Sequence, residues 1–229
     1  NDQVYYGGEN EWKFALGNLG YIEGDDYDTY YTNGPSSGVG NGLGGRAGLQ
    51  SIIGYEDMLY TSGPLATYTL SNGDYKNDPS FDVQLVDQWM LAGGKDIFMT
   101  GDELINDLEN NGGNVTKAFI NDHMGLALED VNLRPLIQNQ YAPVVKPDPS
   151  NPVFATVASW VAYGGCNFYN PFDAVTADGV GQRIAQFMDT NGNAGAYPYS
   201  AATLCVNGAG TGSRCLSLPY DLMYVYDDP

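Results

Sequence analysis

Basic side chains are scarce in this chain. Its 229 residues include 9 Lys and Arg against 28 Asp and Glu, which gives a formal net charge of −19. Because such a surface repels polyanions, the composition excludes a nucleic-acid partner and binding to an anionic membrane. It favours a protein that is secreted into salt or that binds cations.

Long apolar runs are also absent from the sequence. No stretch of about eighteen apolar residues occurs, so the sequence predicts no membrane span. Asn1 begins a polar stretch without a signal-peptide pattern, so we expect a mature or excised piece of a secreted protein. Few Lys together with abundant Gly, Asn and Tyr are typical of extracellular bacterial proteins, which predicts an extracellular location.

Cysteine and histidine are few, with Cys166, Cys205, Cys215 and His123 as the complete set. No C-x-x-C spacing occurs, so a zinc site built from these residues alone is not expected. An odd number of cysteines leaves at least one free or paired outside the chain. Cys205 and Cys215 flank the turn VNGAGTGSR between two apolar runs, so they form either a disulfide between two strands or two buried thiols.

The first half of the chain alternates helical and strand patterns. Apolar residues at helical spacing predict helices over 9–19, 46–53, 81–94, 102–110 and 115–125. Apolar runs predict strands over 28–32, 56–63 and 95–101. This alternation favours a βαβ architecture with a largely parallel sheet.

The second half consists of short β-like runs separated by Gly, Pro and Asn. They cover residues 141–145, 153–163, 172–176, 183–188, 195–206 and 214–218. We expect them to add strands, some of them antiparallel, to the same sheet. No repeat and no linker interrupts the sequence, so residues 1–229 are predicted to form one domain.

Four segments carry a family resemblance. They read YDTYYTNGPSSG (27–38), YEDMLYTSGPLATYTLSNGD (55–74), LVDQWMLAGGK (85–95) and DIFMTGDEL (96–104). In this order they resemble class I glutamine amidotransferase-like domains of large secreted bacterial proteins. The resemblance covers residues 10–125 and continues more weakly through 159–173 and 196–204. It implies an α/β flavodoxin-like three-layer sandwich with a mostly parallel central sheet and extra β strands in the C-terminal half.

The sequence departs from that family in two ways. Such domains open with an apolar strand before a helix like 9–19, whereas only NDQVYYGG precedes it here. We therefore expect a fragment that lacks its first strand, completed by another segment or subunit. Active amidotransferases also place a Cys on the strand-to-helix elbow, which here reads Thr100-Gly101-Asp102-Glu103, and His123 follows one helix later. The resemblance therefore implies that glutamine hydrolysis is absent.

The acids at this elbow, Asp102 and Glu103, have two interpretations. If the segment starts a helix, Asp102 would cap backbone amides, and the helix dipole would stabilise the negative charge of both acids. As a site, they would lie beyond the carboxyl end of a strand, where open α/β sheets bind ligands. Adjacent helical residues do not face each other, so acid–base catalysis would need another acid, such as Asp74 or Asp173.

Three further side chains are candidate catalytic groups. Ser62 follows an apolar strand in YTSG and could act as a nucleophile, but the G-x-S-x-G elbow is missing. Cys166 in YGGCN could pair with His123 as a dyad, because a thiol nucleophile needs a base. The alternative for Cys166 is a buried structural thiol.

Acidic loops offer oxygen ligands for calcium. The candidates are Asp25, Asp26, Asp28, Asp74 and Asp78. Neither loop has the spacing of an EF-hand, and the alternative is a pair of solvated loops. The sequence predicts no organic cofactor, and calcium is the one ion that it suggests.

These observations lead to three functional hypotheses. The leading one is a non-catalytic structural or interaction module of a secreted bacterial protein, a degenerate amidotransferase-like domain. It would bind other domains or segments of its precursor, or neighbouring subunits. The second is an extracellular peptide or glycan hydrolase that uses acids at the carboxyl edge of the sheet. The third is a subunit of an extracellular filament or assembly, with its sheet completed by another chain.

Overall fold

The fold is described from a computed structural model. It describes residues 8–31, 42–67, 69–70, 80–163, 172–206 and 208–227. Its helices are α1 (Glu9–Asn18), α2 (Leu43–Arg46), α3 (Leu49–Ile52), α4 (Asp82–Leu91), α5 (Leu104–Asn106), α6 (Asn114–Phe119) and α7 (Leu133–Leu136). Further helical turns are π-helical at Asp107–Asn111 and Ile120–Met124 and 3₁₀ at Leu222–Tyr224. In this part of the chain no helix is both long enough and apolar enough to cross a membrane.

Most of the secondary structure after α6 consists of strands. The strands are β1 (Asp57–Thr61), β2 (Asp96–Thr100), β3 (Leu126–Asp130), β4 (Val144–Pro147), β5 (Trp160–Ala162), β6 (Ala174–Ala177), β7 (Gly181–Phe187), β8 (Ser200–Val206), β9 (Arg214–Leu218) and β10 (Val225–Asp227). Within the described residues, eight of them form one sheet in the order β1-β2-β9-β8-β7-β4-β5-β10. Strands β3 and β6 pair separately as an antiparallel ribbon.

The predicted flavodoxin-like sandwich is wrong. Only β1, β2 and β9 run parallel to one another, whereas every other neighbouring pair in the described sheet is antiparallel. A parallel pair needs a long crossover, and α4 provides one between β1 and β2. In the described residues between β4 and β9 there is no such helix, and the neighbouring strands of this part of the sheet are antiparallel. The result is a β-rich fold with few helices.

Several local predictions are confirmed. The strands predicted over 56–63 and 95–101 correspond to β1 and β2, and the helix between them is α4. The helix predicted over 9–19 is α1. The strand predicted over 28–32 is wrong for its described residues, because 28–31 form no strand.

Two hydrophobic cores lie on the two faces of the sheet. Alternation along β2 shows the division, since Ile97 and Met99 pack into one core and Phe98 packs against the other. The first, which we call the helical core, is built around α4, where Trp89 is fully buried. The second, the strand core, is built from β4 to β9 and contains Phe187 and Tyr220. Helix α1 covers the strand-core side of β2, with the Trp12 ring edge-on to Phe98 at 4.9 Å between centroids.

Candidate functional site: an acidic cluster at the carboxyl edge

The register of the three parallel strands brings their carboxyl ends together. Thr61 of β1 lies opposite Thr100 of β2, and Thr100 lies opposite Leu218 of β9. The segments that follow these strands therefore meet at one edge of the sheet. We call the polar side chains gathered there the carboxyl-edge cluster, which consists of Thr61, Ser62, Asp102, Glu103, Asp173 and Asp221.

Asp102 joins the segments that follow all three strands. Its side chain is fully buried, and Oδ1 accepts a hydrogen bond from the Asp221 backbone N–H at 3.0 Å. Its own N–H donates to the Gly63 carbonyl at 3.1 Å. Its carbonyl accepts from the Asp173 N–H at 3.0 Å. Asp102 is therefore a structural junction, and the predicted capping of the following helix is not its role.

Asp173 performs that capping from a distant part of the chain. Its Oδ2 accepts hydrogen bonds from the Ile105 and Asn106 N–H groups, both at 2.9 Å, at the start of α5. Its Oδ1 is buried and has no hydrogen-bond partner. Burial raises the pKa of Asp173 to about 8, even though the Asn106 amide opposes this rise. The carboxyl group is therefore held largely in its neutral form at neutral pH.

Asp221 ties the end of β9 to the end of β1. The Thr61 hydroxyl donates to its Oδ2, and the Met223 N–H donates to its Oδ1 at 3.0 Å, which caps the 3₁₀ turn. Burial raises the pKa of this carboxyl group. Gly8 precedes α1 and packs against the same group, since an added Cβ there would lie 2.9 Å from Oδ1. The positive end of the α1 dipole therefore lies beside Asp221.

Glu103 is only partly buried. Its Oε2 accepts a hydrogen bond from the Asn106 side-chain amide at 3.1 Å. Burial raises the pKa of Glu103, although that hydrogen bond lowers it. The two adjacent acids therefore do not converge on one reacting group, but Glu103 and Asp173 both contact the first residues of α5.

Ser62 is buried against the elbow of the neighbouring strand. Its N–H donates to the Thr100 carbonyl at 3.0 Å, and its Oγ has no hydrogen-bond partner. The absence of a Cβ at Gly101 makes room for this hydroxyl. A nucleophilic serine needs a base in hydrogen-bond reach, and no described residue serves Ser62 in that way.

His123 lies in the π-helical turn that continues α6. Its ring is buried next to Phe119, and Nε2 lies 2.7 Å from Asp87 Oδ1. The imidazole is therefore hydrogen-bonded to an acid of α4 instead of an acid of the carboxyl-edge cluster. Cys166, its predicted partner, lies outside the described residues.

The calcium candidates that are described engage other groups. Asp26 Oδ2 accepts from the Ile22 N–H at 2.8 Å, and Asp28 accepts from the Tyr55 hydroxyl. Asp25 lies beside them in the same exposed turn. Across the described ranges, no group of three His, Cys, Asp or Glu is arranged to hold a metal ion. Asp74 and Asp78 lie outside those ranges.

Cys205 and Cys215 lie directly opposite each other on β8 and β9. The sequence predicted two strands joined by the glycine-rich turn, and this arrangement is confirmed. Both side chains are buried, and both are free thiols in this structure.

Sequence reasoning missed three acids of comparable burial, which are Asp82, Asp107 and Asp221. Asp221 follows β9, but its place at the edge depends on β9 pairing with β2, which no local pattern reveals. Asp107 lies in the π-helical turn after α5 and accepts hydrogen bonds at 2.8 Å from the backbone N–H and the hydroxyl of Thr69. For Asp107 and Asp221 the signal available was an acid one or two residues after an apolar side chain.

Comparisons with known proteins add little to this description. No protein-family model and no curated protein sequence matches the chain. Among solved structures, the mmIFT52 N-terminal domain is similar, with a TM-score of 0.44 and 11% sequence identity. The match covers 78% of this chain and 72% of that chain. A likeness of this size assigns neither a family nor a function.

Proposed function

We propose that the chain is a non-catalytic structural or interaction module of a secreted bacterial protein. Its partners would be other domains or segments of the same precursor, or neighbouring subunits. The observation that carries the proposal is the use of the buried acids. Asp102 and Asp173 accept hydrogen bonds from main-chain N–H groups of another segment, and Asp221 accepts one from the Thr61 hydroxyl of β1. Such carboxyl groups fix loops in place and are withdrawn from any substrate.

Composition supports the remaining parts of this proposal. The net charge of −19 and the small number of Lys and Arg favour an extracellular location. Weak calcium binding by the acidic loops stays a prediction. The amidotransferase resemblance stays a proposal for the β1–α4–β2 unit, and its elbow lacks the catalytic Cys.

A hydrolase is the second candidate, because one acid of the cluster remains accessible. Glu103 is partly exposed with a raised pKa, and the neutral carboxyl of Asp173 reaches the same turn of α5. Raised pKa values of this kind also occur in acid–base sites. In this alternative Glu103 would meet the substrate, and Asp173 would keep it positioned.

An assembly subunit is the third candidate, and the edge of the sheet supports it. β1 is the first strand of the sheet, and within the described residues no strand pairs with its outer side. Leu59 in the middle of β1 is 42% exposed. An open edge of this kind can accept a strand from another chain.

Separate substitution of the two adjacent acids by Ala tests the leading proposal. Asp102→Ala leaves the buried Asp221 N–H without its acceptor, which costs about 1–3 kcal/mol and lowers the melting temperature by roughly 5 °C. Glu103→Ala removes one partly exposed hydrogen bond and should change stability by less than about 0.5 kcal/mol. Thermal unfolding measured by circular dichroism gives both values.

Hydrolysis assays on casein and on a bacterial cell-wall preparation complete the test. The module proposal expects no turnover by the wild-type chain and none by either variant. Turnover that disappears in Glu103→Ala at unchanged melting temperature would support the hydrolase and contradict the module. An Asp102→Ala variant as stable as the wild type would remove the observation on which the proposal stands.

A further inference from the structure

Two thiols face each other in the middle of the sheet. Cys205 of β8 and Cys215 of β9 are register partners in an antiparallel pair. Residues directly opposite in such a pair project to the same face, with Cβ atoms about 4.5–5.5 Å apart. Both thiols belong to the helical core, where the exposed fraction is 1% for Cys205 and 0% for Cys215. A pair held in register at this distance needs only a small approach to reach the Cβ separation of a disulfide, roughly 3.5–4.5 Å.

The surroundings of the two sulfur atoms differ. Cys205 lies beneath the turn that joins the strands, and an added Cβ at Gly208 would lie 2.9 Å from its Sγ. Cys215 lies deeper, with its Sγ 3.4 Å from the Ser217 hydroxyl. Because Cys205 lies next to the turn, we expect a small reagent to reach it before Cys215.

We propose that Cys205 and Cys215 form a two-electron redox site, which a small disulfide such as oxidised glutathione converts to an intramolecular disulfide. This inference is independent of the proposed function. It concerns a reversible chemical modification of the sheet, and it would hold for a module, a hydrolase or an assembly subunit alike.

The reaction proceeds by two thiol–disulfide exchanges. The Cys205 thiol loses its proton to solvent, and its thiolate attacks one sulfur of oxidised glutathione. The glutathione S–S bond breaks, and one glutathione leaves and takes up a proton. The Cys215 thiol then loses its proton and attacks Cys205 Sγ, and the second glutathione leaves as a thiol. Two protein thiols are oxidised, and one glutathione disulfide is reduced to two thiols.

The order of the two exchanges follows from the two environments. Burial raises the pKa of Cys215 to about 12. Burial also raises the pKa of Cys205, but a main-chain hydrogen bond from Gly208 opposes that rise. Because the thiolate is the nucleophile, Cys205 is the attacking residue and Cys215 the resolving one.

Tryptic mapping of the intact chain tests the proposal without any substitution. Cys205 lies on the peptide 184–214 and Cys215 on the peptide 215–229, because Arg183 and Arg214 are cleavage sites. Cys166 lies on the separate peptide 118–183, since the Arg134–Pro135 and Lys146–Pro147 bonds resist trypsin. The chain is incubated with oxidised glutathione, alkylated and digested without reductant.

The expected product is peptide 184–214 joined to peptide 215–229, two hydrogen atoms lighter than their sum and separated by reductant. The count of thiols under denaturing conditions should fall from the three of the sequence to one. Free thiols on both peptides, a glutathione that remains on Cys205, or a linkage that uses Cys166 would each overturn the proposal.

Two variants define the chemistry further. Cys166→Ser should leave the linkage unchanged. Cys215→Ala should stop the reaction at the mixed disulfide of Cys205 with glutathione, provided that circular dichroism shows a folded variant. If this variant does not fold, the peptide map of the unsubstituted chain still decides the question.

Discussion

The sheet has two regions that place their polar groups differently. In the parallel region, formed by β1, β2 and β9, all carboxyl ends lie at one edge. In the antiparallel region, formed by β8, β7, β4, β5 and β10, successive strands end at opposite edges. The segments that follow the parallel strands therefore converge, whereas those of the antiparallel strands are distributed over both edges.

The buried carboxyl groups next to the strands of the sheet follow this difference. Asp102 and Asp221 follow two of the parallel strands, and Asp173 reaches the same edge from the start of β6. Among the described residues, no buried carboxyl group lies on β4, β5, β7 or β8. Converging segments present several main-chain N–H groups to one point, and a buried carboxylate needs such donors. The parallel region can therefore accommodate acids that the antiparallel region would have to exclude.

One strand joins the two regions. β9 pairs with β2 in parallel and with β8 antiparallel, and its side chains alternate between the two cores. Because Cys215 packs in the helical core while Leu216 packs against the strand core, loss of either core should destabilise β9 and with it the other core.

The largest expected effect tests this coupling by removing one aromatic ring from each core. Trp89→Ala in the helical core and Phe187→Ala in the strand core should each cost about 3–5 kcal/mol, which lowers the melting temperature by roughly 10 °C. Each variant should still unfold in a single transition. Circular dichroism in the far and near ultraviolet, recorded during heating, measures this.

A matched substitution on α4 serves as the control. Leu91 is 47% exposed, and Leu91→Ala should change stability by less than about 0.5 kcal/mol. Two separate unfolding transitions would contradict the role given to β9. If Trp89→Ala lowered the midpoint of one transition and Phe187→Ala that of the other, the two cores would unfold independently.

The second effect concerns pH and the acid that is buried at the parallel edge. Asp173 has an ordinary pKa of 3.8 in the unfolded chain and about 8 in the folded one. Between these values the folded chain binds more protons, so the free energy of unfolding falls as pH rises, by at most about 1.4 kcal/mol per pH unit. The contribution is complete below pH 3.8 and lost above about pH 8. Urea unfolding from pH 5 to 9 in high salt measures it, since salt screens surface repulsion.

Two Asn variants locate this pH dependence. Asp173→Asn should flatten the decline between pH 5 and 8. Asp189→Asn, in the loop between β7 and β8, should not, because hydrogen bonds from Asn193 lower the pKa of the exposed Asp189. The stability contributed by Asp189 is present above its unfolded pKa and is lost only as pH falls through the lower folded value. An unchanged decline in Asp173→Asn would contradict the assignment.

Local signals explain what the sequence could predict. β1, α4 and β2 were found because apolar runs and the Gly93-Gly94 stop define them within a few residues. Asp74 or Asp173 was named as a second acid for catalysis at the elbow, and the structure brings the backbone N–H of Asp173 to the Asp102 carbonyl.

Long-range pairing explains what the sequence could not predict. An alternating pattern identifies β9 as a strand but does not tell that Arg214 lies opposite Asp96. Without that register, Asp221 has no reason to be near Thr61. The flavodoxin-like architecture was wrong for the same reason, because a mostly parallel sheet was inferred from the first half, whereas the later strands form antiparallel pairs that include strands far apart in sequence, such as β4 with β7.

The smallest effect tests the packing between the carboxyl ends of β1 and β2. A Cβ added at Gly101 would overlap Ser62 Oγ and would lie 3.2 Å from Ser62 Cβ. Gly101→Ala should therefore cost about 1–3 kcal/mol through overpacking. Ser62→Ala should cost little, because the Ser62 hydroxyl has no hydrogen-bond partner to lose.

The double variant decides whether this cost arises at the parallel edge. Ser62→Ala removes the overlapping oxygen, so it should recover about 1 kcal/mol or more of the loss caused by Gly101→Ala. Gly17→Ala in α1 is the control, since its added Cβ meets no atom within 4 Å and should stabilise the helix by about 0.5 kcal/mol. Urea unfolding of the four chains of the cycle measures the coupling. Additive effects would assign the cost to another neighbour of the added Cβ, such as Leu104 Cβ at 3.2 Å, whereas recovery would assign the cost to the contact by which the two parallel strands close their shared edge.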